Sequence, residues 1–179
     1  MTFLAQDRGG TVVHDPPDSV QLARFEDLFT AHHERVLGYV LRRTGNAGDV
    51  DDVVAETFLT AWRRLGDVPE DAALPWLYAV ARRVLANHRR REKTRVALVE
   101  RLRVAPLTGT QTDPEGAAIT AAAWRELPER DREVLALIAW EGLDADQVAV
   151  VLGCSRNAVR IRVHRAKRRF EKLLKGGAV

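Results

Sequence analysis

The chain has 179 residues, 46% of them hydrophobic and 30% charged, a balance that excludes wholesale disorder and fits one medium domain or two small ones. Its single cysteine, Cys154, excludes an internal disulfide and a cysteine-rich zinc site. The net charge of only +3 hides a segregation: Ser155–Lys175 holds nine Lys/Arg against Glu171 alone, and a second basic run spans Arg82–Arg95. Two separate basic stripes point to nucleic-acid contacts at two places.

Aromatic residues make up 6%, and Ala, Val, Leu and Arg dominate, so helix is favoured far more than strand and an all-α fold is expected. Residues 1–20, with Gly9, Gly10, Pro16 and Pro17 and no apolar period, read as a flexible tail. A helix is predicted over Gln21–Arg43, with Phe25, Leu28, Phe29, Val36 and Val40 on one face. His32 shares that face and is expected as a core or boundary residue. Thr44–Gly48 breaks the helix. The next helix, Val50–Leu65, buries Val50, Val53, Val54, Phe58, Ala61, Trp62 and Leu65, with Asp49 and Asp52 placed for capping and for the helix dipole. A loop with Pro69 and Pro75 leads into a third helix, Trp76–Arg91, striped by Leu77, Val80, Ala81, Val84 and Leu85. Three such faces close into a small bundle.

Pro106, Gly109, Pro114 and Gly116 crowd the stretch after Val104, which reads as a flexible linker. Structure resumes with Ala117–Glu126, and Pro128 fits the first turn of a helix followed by Glu129, Asp131 and Glu133. Asp144 and Gln147 have the spacing of a capping box, Gly153 suits a left-handed stop, and Ser155 can cap the next helix. A short helix, a tight turn and a second helix make a helix-turn-helix. On the second helix Val159, Val163, Ala166, Phe170 and Leu173 anchor to the domain. Arg156, Arg160, His164 and Lys167 share another face, beside Ile161 and Arg165. An arginine there can pair bidentately with guanine, and Ile161 can touch a thymine methyl. Arg162, Arg168, Arg169 and Lys172 suit phosphates. Cys154, in the turn, reads as a packing residue.

Three segments, in order, carry a family resemblance. Asp49–Trp62 (DVDDVVAETFLTAW) closely resembles the polymerase-docking helix in region 2 of extracytoplasmic-function (ECF) sigma factors of the sigma-70 family. Pro75–Arg91 (PWLYAVARRVLANHRRR) resembles that family's helix for melting and reading the −10 element. Leu127–Leu174, from LPERDREVLAL to RIRVHRAKRRFEKLL, resembles region 4, which reads the −35 element.

The resemblance implies two small helical domains joined by a flexible linker: a tail at 1–20, region 2 at 21–95, a linker at 96–123, region 4 at 124–175 and a tail at 176–179. It implies core RNA polymerase as partner, docking through Asp49, Asp52, Glu56 and Leu59 on the β′ clamp and through region 4 on the β flap. Promoter DNA would meet Trp76, Arg83, Asn87 and Arg90 at −10, with the loop Gly66–Leu74, and Arg156, Arg160, Ile161, His164, Arg165, Lys167 and Arg168 at −35. Arg83 stands where many members carry asparagine, a departure that bears on the −10 base preference and not on the DNA role. There is no room between the domains for the extra helical domain of larger factors, and only Lys175–Val179 comes after Leu174, so control by a separate anti-sigma factor is expected.

No membrane-length apolar run and no signal-peptide pattern appear, so a cytoplasmic location without membrane insertion is expected. No phosphate-binding glycine loop, nucleophile elbow or metal-spaced cluster is present, so neither catalysis nor a cofactor is expected. His32-x-Glu34 fits a deaminase motif superficially, without the paired cysteines it requires. A plain helix-turn-helix regulator would account for the C-terminal half and leave the first domain without purpose.

Overall fold

A computed structural model describes residues 19–44, 47–95 and 114–176. Among these residues the secondary structure is helical throughout: α1 (Ser19–Leu41), α2 (Val50–Arg63), α3 (Ala73–Arg95), α4 (Pro114–Glu126), α5 (Glu129–Ala139), α6 (Ala145–Leu152) and α7 (Arg156–Gly176), with 3-10 turns at Ala47–Asp49 and Leu65–Asp67. Of the expected tail at 1–20, residues 1–18 lie outside the described residues, while Ser19 and Val20 already belong to α1; most of the expected linker, 96–113, also lies outside them.

The first three helices form the bundle that their apolar spacing predicts. Val36 and Val40 of α1, Val53, Phe58 and Ala61 of α2, and Leu77, Ala81 and Val84 of α3 are buried together. The Val, Leu and Phe side chains among them each contribute about 1.5–3 kcal/mol when fully removed from water. The aromatic edge of the bundle is more open. Phe25 meets Trp62 edge-on with centroids 5.1 Å apart, while Phe29, counted on the buried face by its spacing, remains 39% exposed. Tyr39, which the periodicity did not single out, is fully buried and stacks on Tyr78 at 4.6 Å.

Some helix ends differ from expectation for identifiable reasons. Asp49 does not cap α2 with its side chain, because the 3-10 turn before it already holds Asp49 in a helical conformation (φ −90°, ψ −8°). A capping side chain needs an extended residue at that point. Pro75 belongs to the first turn of α3 rather than to the loop; the leading amides of a helix have no intrahelical acceptor, so a missing N–H there costs nothing. Helix α4 begins at Pro114, so part of the stretch read as linker is helical.

The second half closes around α7, which packs on α4, α5 and α6. Leu127, Val134, Leu137, Val148, Val151, Val159 and Ala166 fill its centre, and Trp124 bridges Trp140 and Phe170. The two domains also meet: α6 packs against α3, and one continuous apolar cluster runs through both.

Candidate nucleic-acid interfaces

The helix-turn-helix is built by short-range rules. Asp144 sits in extended backbone and its Oδ1 accepts from the amides of Asp146 and Gln147, each at 2.9 Å. The Gln147 side chain accepts in return from the Asp144 amide at 3.0 Å, completing the capping box. Helix α6 stops at Gly153 with φ +61°, the left-handed region glycine enters without steric cost. Ser155 Oγ then accepts from the Ala158 amide at 3.2 Å, opening α7.

With Val159 and Ala166 turned inward, Arg156, Arg160, Ile161, His164, Arg165, Lys167 and Arg168 all face solvent. Ile161 is 44% exposed, an apolar group held outward among cations. Arg156 pairs with Asp146 at 3.3 Å on the surface, a contact weak enough to exchange for a phosphate or a base. Arg169 is tied to Asp131 of α5, which places it in the domain's own support. Cys154 is half-buried beneath the turn, where Arg162 Nη1 donates to its Sγ at 3.6 Å.

On α3, Arg83, Asn87 and Arg90 are exposed on the side away from Leu77, Ala81 and Val84. Trp76 is half-buried against the core, and the guanidinium of Arg64 lies 5.9 Å from its ring centroid. Only part of the preceding loop is available to a ligand: Gly66 and Asp67 are exposed, whereas Val68 is buried and its carbonyl accepts from Arg24 at 3.1 Å.

On α2, Asp52 and Leu59 point outward, Leu59 being 46% exposed, and Asp49 is half-buried at the helix start. Glu56 completes this acidic face and lies 3.3 Å from His88 Nε2 on α3. Acidic groups around an exposed leucine suit a basic partner with an apolar centre.

A further cluster, between the halves, was not foreseen. Glu141, after α5, is 3% exposed, and its carboxylate accepts from Arg42 at 2.6 Å and Arg43 at 2.9 Å. Arg43 also donates to Glu133 at 3.0 Å, and its guanidinium lies 3.7 Å from the centre of the Tyr39 ring. Tyr39 Oη donates to Glu133 at 3.1 Å. Burial, together with Glu133, pushes the Tyr39 phenol far above its ordinary range, and burial with Glu141 raises Tyr78. Burial alone would lower Arg43, but Tyr39, Glu133 and Glu141 outweigh it and hold the guanidinium charged. His32, half-buried near this seam, is lowered by burial and by the charge of Arg35. The partners lie 90 or more residues apart, so no local spacing could reveal them.

Among the described residues there is no group of three or more His, Cys, Asp or Glu able to hold a metal ion, and no helix long and apolar enough to cross a membrane.

A capped helix-turn-helix with an outward cationic face, joined to a bundle with its own exposed basic helix, defines a DNA-binding protein of transcription. Comparison with known proteins gives the family. Residues 28–95 match the family model for sigma-70 region 2, and residues 120–170 match that for sigma-70 region 4. The chain is 31% identical over 158 residues to the RNA polymerase sigma factor NccH of Alcaligenes xylosoxydans xylosoxydans, covering 82% of this chain and 85% of that one. It is 29% identical over 157 residues to the ECF RNA polymerase sigma factor SigL of Mycobacterium tuberculosis, covering 84% and 88%. The sigma factor RpoE of Bartonella quintana, solved in complex with the anti-sigma factor NepR, shares the fold with a TM-score of 0.64 at 20% identity, over 84% of this chain and 96% of that one. The chain belongs to the sigma-70 family of RNA polymerase sigma factors, in its extracytoplasmic-function group. Regions 2 and 4 are the promoter-recognition parts of such factors.

Proposed function

We propose that this chain docks on core RNA polymerase through the acidic face of α2 and directs it to promoters by reading −10 with α3 and −35 with α7. The observation that carries the reading is the face of α7. Seven side chains suited to base edges and phosphates, Arg156, Arg160, Ile161, His164, Arg165, Lys167 and Arg168, project from a helix fixed by a capping box, a left-handed glycine and a serine cap.

On α3, Arg83, Asn87 and Arg90 neutralise phosphates and contact bases of an opened strand, with Trp76 at the rim for stacking. Extruding a base costs a few kcal/mol, which these contacts offset. Asp49, Asp52, Glu56 and Leu59 meet the β′ clamp, and region 4 meets the β flap, as the family resemblance implies. The same resemblance assigns regulation to an anti-sigma factor. The chain supplies no chemistry of its own in this scheme, needs no cofactor, and works in the cytoplasm. The domains fall at 21–95 and 124–175, with α4 as the lead-in to the second.

The test is stoichiometric binding of the purified chain to core polymerase, beside an Asp52→Arg/Glu56→Arg variant whose helix content matches wild type. Binding and run-off transcription by wild type, both reduced at least about ten-fold in the variant, is the expected result; ten-fold corresponds to about 1.4 kcal/mol. Tight binding to a palindromic duplex by the chain alone, with none to polymerase at micromolar concentration, would instead identify a free-standing regulator.

A further inference from the structure

An acid stands beside the cations that α7 presents to solvent. Asp146, in the first turn of α6, lies 3.3 Å from Nη1 of Arg156, the first residue of α7, and both side chains are 64% exposed. The contact joins the starts of the two helices of the helix-turn-helix. The backbone at each end is held in place. The amide of Asp146 donates to Asp144 Oδ1 at 2.9 Å within the capping box, and Arg156 follows Ser155, whose Oγ caps α7. The left-handed stop at Gly153 sets the turn between them.

A carboxylate in this place works against DNA binding. Affinity for a duplex comes largely from cations that neutralise phosphates, so an acid on the same face weakens binding to DNA of any sequence. The helix dipole favours an acid near the start of α6. It does not account for the direction the acid takes. Asp144 already places a carboxylate at the same helix end, and of the two it is Asp146 that reaches across to α7.

The chemistry of the pair does account for it. A guanidinium carries five N–H donors in a planar fork. With Nη1 facing Asp146, the edge formed by Nε and Nη2 is left for a second partner. Guanine offers O6 and N7 to such an edge in the major groove. An arginine alone at an exposed helix start can equally take a phosphate, a contact that carries no sequence information. A carboxylate on one side of the guanidinium narrows its orientations before DNA arrives. It also offsets part of the charge, which weakens the pull of phosphate more than a base contact that depends on alignment. In water the pair contributes little. As the duplex docks and water leaves, the attraction grows with the fall in dielectric.

We propose that Asp146 is a positioning residue for the −35 contact: it steers Arg156 onto guanine and away from phosphate, giving up general affinity for DNA in return for base discrimination at one position. The role rests on the assignment of α7 to the −35 duplex under the proposed function, and does not depend on how the chain docks on polymerase.

The experiment is selection of bound duplexes from a pool randomised across the −35 element. Holoenzyme is reconstituted from core polymerase and the full chain as wild type, Asp146→Asn, Arg156→Ala or both, and the selection is repeated with the full chain alone. Affinity for one fixed duplex of unselected sequence is measured alongside, with helix content followed by circular dichroism. Wild type should enrich guanine at a position where Arg156→Ala does not. Asp146→Asn should lower the enrichment at that position about three- to ten-fold, part of what a bidentate pair supplies, and leave the other positions unchanged. It should bind the unselected duplex at least as tightly as wild type, and up to about five-fold more tightly. Added to Arg156→Ala, it should alter no base preference, because the acid then has nothing to steer. Loss of helix content, or of preference at every position together with affinity, would mark a merely structural acid and overturn the proposal. Unchanged enrichment in Asp146→Asn, or a wild-type pool without an Arg156-dependent guanine, would overturn it too. If the chain selects as expected alone and never binds polymerase, the positioning role stands and the sigma reading falls.

Discussion

The turn at Gly153 and the seam at Glu141 are separated by one short helix, yet they are held by opposite means. The turn is closed by groups within a few residues of one another: Asp144 with Gln147, Gly153 on its own backbone, Ser155 with Ala158. The seam is closed by charges brought from Arg42 and Arg43, 98 or 99 residues away along the chain. A turn of the first kind survives as long as its own helices do. A seam of the second kind survives only while two larger bodies remain docked, and its strength depends on both carboxylate and guanidinium being present. Local geometry suits a reading head that must not change shape, and distant charge pairing fixes how the two halves sit together.

Three further experiments break or sharpen that contrast. The largest effect is expected for Arg43→Ala, which leaves Glu133 without its guanidinium and Glu141 with Arg42 alone. Removing one partner of a buried pair typically costs about 3–5 kcal/mol. Calorimetry should show wild type unfolding in one transition, and the variant in two once the halves no longer share an interface; a single lowered transition would mean that the halves fold only together.

A smaller effect is expected for Gly153→Ala. An added methyl meets nothing within 4 Å, so the cost is that of the left-handed backbone alone, about 1–2 kcal/mol in urea unfolding. It should weaken binding to a −35 duplex while leaving unfolding in one transition, whereas Arg43→Ala should do the reverse.

The smallest effect concerns His32, whose Nδ1 is buried without a hydrogen-bond partner and whose pKa is lowered by burial and by Arg35. A histidine with a lowered folded pKa binds fewer protons in the folded state than in the unfolded one. Its contribution is therefore intact above the ordinary value near 6.5 and is lost as pH falls from there toward the folded value. The urea midpoint of wild type should drop between about pH 7.5 and about pH 5.5 by more than that of His32→Gln.

The same contrast divides the features that the amino-acid sequence reveals from those it hides. The capping box, the glycine stop and the serine cap were legible because each depends on residues two to four positions apart. So were the buried stripes of Val53, Phe58 and Ala61 and of Leu77, Ala81 and Val84, which keep the helical period. The outward placement of Arg160, Asn87 and Asp52 came from the same stripes by subtraction. Glu133 looked like an ordinary acid in a first turn, and Arg43 like no more than the end of the helix expected over Gln21–Arg43, because their partners are set by docking and not by spacing. Asp49 shows a subtler failure. Its residue type and position suit a cap, but one extra turn of 3-10 helix fixed its backbone where a capping side chain cannot reach.

The contact between Glu56 and His88 carries a thermodynamic obligation. One end belongs to the face of α2 assigned to the polymerase, and the other to α3, the helix assigned to the opened strand. Any change that a protein partner on α2 makes through this contact in the affinity of α3 for nucleic acid is matched by an equal change that nucleic acid makes in the affinity of α2 for its partner. A separation of 3.3 Å is where the two assigned surfaces touch each other.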